Sequence, residues 1–160
     1  MVILHVMRRH GRRPAGFSLV ELLVVMAVIS LLASVAIVAL LRARVTTSGQ
    51  IAMSTVRHYA QSLQLYSIVN QQFPANMTLL GPPTSNPPFL TPNLIGNGTT
   101  ATKSGYTFTY ASLTPSSFTM IADPVTHGVT GERHFFTDET LMIHFTDQNR
   151  AATVADPLIS

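Results

Sequence analysis

From Phe17 to Leu41 the chain runs for 25 residues with one ionisable side chain, Glu21, and with Ser18, Ser30 and Ser34 as its other polar side chains. As an α-helix rising about 1.5 Å per residue, this run is roughly 37 Å long, enough to cross a hydrocarbon core of about 30 Å with tilt. Beyond Arg42 and Arg44 the pattern becomes amphipathic. Val56, Tyr59, Ala60, Leu63, Tyr66 and Val69 recur at helical spacing, with Arg57, His58, Gln61, Ser62, Gln64 and Asn70 between them. Phe73-Pro74 closes the pattern, because the residue before a proline is pushed out of helical backbone. The two halves predict one helix of about 55 residues, uniformly apolar first and amphipathic to about residue 72. Thr46-Thr47-Ser48-Gly49 is its weakest stretch, where a kink or local melting is expected.

Residues 74–105 hold six of the ten prolines among Gly, Asn, Ser and Thr, and predict loop. From Tyr106 the period changes to two: Tyr106, Phe108 and Tyr110 alternate with Thr107 and Thr109. Ser117 to Ala122 predicts a second strand stopped by Asp123-Pro124, in which Asp123 is expected as a turn acid. Arg133–Thr137 and Leu141–Phe145 predict a hairpin around Asp138-Glu139-Thr140, placing Thr137 opposite Leu141, Phe135 opposite Ile143 and His134 opposite His144. Phe135, Leu141, Ile143 and Phe145 would then pack on the helix stripe, with His134 and His144 together on the solvated face. The expected fold class is α+β, a long helix on a small antiparallel sheet over 106–146, with a loose tail from Asp147.

Glu21 sits one turn inside the entry end of the apolar run. A carboxylate there is costly unless paired, which marks it as a functional residue. Ahead of it Arg8, Arg9, Arg12 and Arg13 form a basic leader that ends in Gly16. By the positive-inside rule that leader stays cytoplasmic and everything after the span is exported. The run is too long for a secretory signal of about 7 to 15 apolar residues, although Ala33–Ala36 imitates its cleavage site. Arg12-Arg13 is discounted as a twin-arginine signal because Pro14, Gly16 and Glu21 follow.

The stretch Gly16-Phe17-Ser18-Leu19-Val20-Glu21-Leu22-Leu23 closely resembles the prepilin signal of type IV pilins and type II secretion pseudopilins. The C-terminal segments Ser-Gly-Tyr-Thr-Phe-Thr-Tyr, Ala-Asp-Pro-Val-Thr and Arg-His-Phe-Phe-Thr-Asp-Glu also look like short pilin sheets. The resemblance implies residues 1–16 as a leader, 17–41 as the transmembrane and assembly segment and 42–160 as an exported pilin-like domain. It implies cleavage after Gly16 by a prepilin peptidase and N-methylation of the new first residue, Phe17. It further implies that Glu21 pairs with the Phe17 amine of a neighbouring subunit during assembly. Partners would be that peptidase, identical or related subunits, an inner-membrane assembly platform and membrane lipid, for a structural subunit of a pilus or a secretion pseudopilus. Its location would be the inner membrane first and the filament afterwards. Small residues at Ala27, Ser30, Ala33, Ser34, Ala36 and Ala39 would allow close helix packing. The chain departs from many relatives in having Val38 where they carry a helix-breaking proline, and in lacking the cysteine pair that closes their C-terminal loop. The reading of a different class is a membrane-anchored extracytoplasmic binding or sensor domain that enters no filament.

Charge supports export over nucleic-acid binding. The net charge of +3 includes four leader arginines; without them six basic residues stand against seven acidic ones. With no cysteine, thiolate metal sites and disulfides are excluded and the exported sheet must be held by packing. No nucleophile elbow, paired-acid motif or phosphate-cradling loop is present, so no enzyme and no cofactor are expected. The weak metal candidates are His134 with His144, and Asp138, Glu139 and Asp147 for calcium. Asn76-Met77-Thr78 and Asn97-Gly98-Thr99 fit a glycosylation pattern too short to carry weight.

Overall fold

The computed structural model describes residues 16–159, and the chain divides into two compact units at Ala39 and Leu40. Helix α1 (Leu19–Asn70) runs 52 residues without a break, so the local melting expected near Gly49 is absent. It ends where Gln71 takes a left-handed backbone (φ 57°), before the Phe73-Pro74 stop.

In the second unit, α1 buries Ala52, Thr55, Val56, Tyr59, Ala60, Ser62, Leu63 and Tyr66. The predicted stripe thus holds from Val56 to Tyr66, while Val69 is 63% exposed on the wall of an open groove shared with Leu79 and Phe89. Ser62, expected between the apolar positions, is buried instead, its hydroxyl donating to the Phe89 carbonyl at 2.8 Å.

Residues 74–105 are more ordered than their prolines suggest. They form a 3-10 turn (Met77–Leu80), a one-turn helix α2 (Pro92–Ile95) and strand β1 (Thr100–Lys103). Pro92 opens α2, where its missing N–H costs nothing. Met77, Leu80 and Leu90 between the prolines, and Leu94 just after Pro92, are buried, which is what fixes the segment. The two Asn-x-Thr triplets are turn devices: Asn76 Oδ1 accepts from Thr78 N, and Asn97 Oδ1 from Thr99 N, each at 3.0 Å.

Strands β1, β2 (Tyr106–Thr114), β3 (Ser117–Pro124), β4 (His134–Asp138) and β5 (Ile143–Thr146) pair in sequence order as an antiparallel meander. In β4–β5 the register puts Thr137 opposite Ile143 and Phe135 opposite Phe145, a two-residue slip from the expected pairing. The cause is local. Asp138 Oδ1 accepts from Thr140 N at 3.0 Å and Leu141 turns left-handed (φ 61°), so the connection takes in Leu141 and Met142. A slip of two keeps every side chain on its predicted face. Phe135 and Ile143 are accordingly buried, while Leu141 and Phe145 are half-buried.

Three tyrosines pin the core in place of a disulfide. Tyr59 donates to the Leu94 carbonyl at 2.5 Å, Tyr106 to Arg133 at 2.9 Å and Tyr110 to Pro74 at 2.5 Å. The hydroxyls tie α2, the start of the 74–105 segment and the entry of β4 to the helix–sheet layer, and Tyr59 also packs on Phe108 with centroids 5.4 Å apart. Burial pushes Tyr106 and Tyr110 up to about 12 and Tyr59 higher still.

The tail after Asp147, expected to be loose, is docked on the outer edge of β5. Phe145 N donates to Pro157 O and Ile159 N to Ile143 O, each at 2.9 Å, bridging His144 to Leu158. An Arg150–Asp156 ion pair clasps the tail, and Asp156 also accepts from Thr153 N at 2.8 Å. The hydrogen bond from Arg150, followed by those from Thr153, holds the Asp156 carboxyl well below the usual carboxylate range. A carboxyl depressed in the folded state contributes stability above its unfolded value, about 3.9, and loses that contribution as pH falls through the folded one. The Ile159 amide should therefore stay protected from hydrogen exchange down to about pH 4 and lose protection below it. Asp156→Asn should show the same loss at neutral pH, and unchanged protection in that variant would remove the clasp from the account.

Candidate functional site

The basic leader, Arg8 to Pro14, lies outside the described residues; Gly16, Phe17 and Glu21 lie within them. Among the described residues a Cβ built on Gly16 meets no atom within 4 Å, so their packing sets no demand for glycine there. Phe17 is 82% exposed. Ser18 stands at the N-cap, its carbonyl accepting from Leu22 N at 3.2 Å, and Glu21 falls in the first turn. Ser18-x-x-Glu21 has capping-box spacing, a local signal the sequence carries but which is masked by the longer motif. Glu21 is exposed and, among the described residues, forms no ion pair.

Every residue from Gly16 to Arg44 is exposed in the single chain. A run this apolar is long enough to cross a membrane, and none of the residues in its most apolar window is buried. Two of its three serines are already satisfied: Ser30 Oγ donates to Met26 O at 2.8 Å and Ser34 Oγ to Leu31 O at 2.7 Å. Both hydroxyls can thus enter an apolar medium without orphaned polar atoms. What the helix still lacks is a covering for its side chains and a partner for one carboxylate.

The histidines take other roles than the facing pair expected of them. His134 lies opposite Thr146 and His144 opposite Phe136. Neither is solvated, since His134 is 5% and His144 8% exposed. His144 Nδ1 donates to the Asp156 carbonyl at 2.7 Å, under the docked tail. His134 Nδ1 donates to Asp123 Oδ1 at 2.6 Å, and its Nε2 lies 3.2 Å from His127 Nδ1. Asp123 is thus a strand residue paired across β3–β4 rather than a turn acid. Its partnership with His134 needs the β3–β4 register, which periodicity does not supply. Of the calcium candidates, Asp138 is held by Thr140 and Asp147 by Arg133 at 3.2 Å. Among the described residues no group of three His, Asp or Glu side chains converges as a metal site would require.

Comparison with known proteins reaches the N-terminal helix first. Residues 11–37 match the prokaryotic N-terminal methylation motif. Over 111 residues, 69% of this chain and 74% of the relative, the sequence is 30% identical to the type IV wide pilus major component PilA4 of Thermus thermophilus. No solved structure matches significantly. With an exposed apolar helix, a single acid in its first turn, a five-stranded antiparallel sheet later in the chain and this similarity, the chain belongs to the type IV pilin and pseudopilin family.

Proposed function

We propose that this chain is the precursor of a type IV pilus subunit, cut after Gly16 by a prepilin peptidase, N-methylated on Phe17 and assembled into a helical filament through its apolar helix. The carrying observation is the wholly exposed run from Gly16 to Arg44 with its one acid. Such a surface is stable in lipid before assembly and in a bundle of like helices afterwards, and in water at neither stage. Cleavage creates an α-amino group on Phe17, four residues before Glu21. Within one subunit the new amine precedes the Ser18 N-cap and Glu21 follows in the first turn; between subunits the two charges fix the axial step. Heterologous, non-closing contacts of this kind generate a filament.

Before assembly the span sits in the inner membrane with the leader cytoplasmic and the sheet domain outside. The similarity to a pilus major component, which extends well past the N-terminal motif, favours a pilus over a secretion pseudopilus. No step of this function asks chemistry of the subunit. Intact mass measurement on protein from its native host tests the reading. The mature chain should begin at Phe17 with one added methyl group, and a mature chain still beginning at Met1 would support the anchored-domain alternative instead.

A further inference from the structure

At the end of the apolar run, Leu41, Arg42, Arg44 and Val45 of α1 line a groove of about 690 Å³ together with Val129 and Glu132 of the β3–β4 connection. Arg42 and Arg44 are exposed and form no ion pair among the described residues. Glu132 is exposed too, and Val129, 68% exposed, has no place in the core of the sheet. Nothing in the fold of this unit requires two cations, one anion and an exposed valine at this spot.

Depth supplies the reason. Arg42 and Arg44 rise only about 1.5 and 4.5 Å beyond Leu41 along the helix. The headgroup layer is some 5 to 7 Å thick on each side of the hydrocarbon. The groove therefore opens at the level of lipid phosphates when the run spans a bilayer. Its charges match a zwitterion: two guanidinium groups suit a phosphodiester, and a carboxylate suits an ammonium. Its apolar walls suit the first carbons of the acyl chains. A headgroup with a phosphate but no amine would leave Glu132 facing another anion.

We infer that this groove binds the headgroup of an ethanolamine glycerophospholipid while the subunit waits in the membrane. Arg42 and Arg44 hold the phosphate, Glu132 holds the amine, and Val129 rests on the acyl boundary. This rests on the reading of Phe17–Leu41 as a membrane span, and the test separates the two. The chain has no cysteine, so Val129→Cys and, separately, Ser30→Cys each place a single dye on the full-length protein in nanodiscs. Nitroxide is carried on phosphatidylethanolamine near the headgroup or deep in the acyl chain.

The Val129 dye should be quenched by the shallow nitroxide and the Ser30 dye by the deep one. Adding Arg42→Gln should raise the mole fraction of labelled lipid needed for half-quenching at Val129 about fivefold, the factor one arginine contributes near a headgroup. Adding Glu132→Gln should abolish the preference for ethanolamine over choline lipid at the same dye. A Val129 dye untouched by shallow nitroxide, with the Ser30 dye still quenched by the deep one, overturns the groove assignment and leaves the span standing. Failure of both dyes to be quenched overturns the span and the groove together. Quenching at Val129 that depends on a second labelled copy and not on lipid assigns the groove to another subunit and overturns the inference.

Discussion

Replacing Glu21 with alanine should leave the precursor cut after Gly16 and reduce filaments to background. Two roles for this acid differ in size. As a first-turn carboxylate at a helix N-terminus it contributes roughly 0.3 to 1 kcal/mol, and losing that much would only fray the helix start. As the partner of a neighbour's Phe17 amine in a dry filament core, its loss strands a buried cation at a cost of about 3 to 5 kcal/mol for each subunit added. Only the second magnitude can stop growth. Glu21→Gln keeps the side-chain shape and one acceptor, so it should fall between alanine and wild type. The measurement is sheared filament yield beside an immunoblot that resolves precursor from mature chain. Normal yield from Glu21→Ala would confine the residue to helix capping; loss of cleavage in the same variant would place it in peptidase recognition instead.

A second large effect is expected inside the sheet domain. A methyl group at Gly131 would lie 2.1 Å from the Tyr106 hydroxyl oxygen and 2.4 Å from the ring carbon that carries it. The ring cannot yield, since Tyr106 is fully buried, packs on Phe135 and donates to Arg133 O. Gly131→Ala should therefore cost about 2 to 4 kcal/mol, from overpacking together with a strained or broken hydrogen bond. For a domain of this size that is a fall in Tm on the order of 10 °C. Gly49 supplies the control, because its added methyl would meet the same hydroxyl at 3.6 Å, an ordinary contact. Gly49→Ala should be neutral or stabilising by up to about 1 kcal/mol, given the better helix propensity of alanine. Calorimetry on both variants checks the pair, and equal Tm values would show that Tyr106 does not fix the Gly131 turn.

The parts of this protein that could be read from its sequence are those set by local rules. The apolar run, the stripe from Val56 to Tyr66 and the alternation from Tyr106 to Tyr110 each follow from one residue's spacing to the next, and each is present. Glu21 and Gly16 stood out because a charge in an apolar run and a glycine at its threshold break local expectation. What escaped depends on distant partners or on which hydrogen bond a side chain takes within a turn. The β4–β5 register turns on an Asp138 side chain capturing the Thr140 amide, which lengthens the connection without changing the apolar pattern. The Asp123–His134 bond exists because β3 and β4 align those two residues, and the tail docks because β5 offers it an unpaired edge. Residues 74–105 misled because prolines mark where helices and central strands cannot run, while Met77, Leu80, Leu90 and Leu94 still had a core to enter.

The docked tail also bears on how crowded subunits keep apart. Membrane stores of a filament protein and the filament itself hold sheet domains at high local density, the circumstance in which bare strand edges recruit one another into aggregates. Here the β5 edge is occupied by the chain's own Pro157 and Ile159. The opposite edge, β1, is only four residues long and carries Lys103. Neighbouring domains are therefore left to meet through side chains, contacts that can be made and released without merging their sheets.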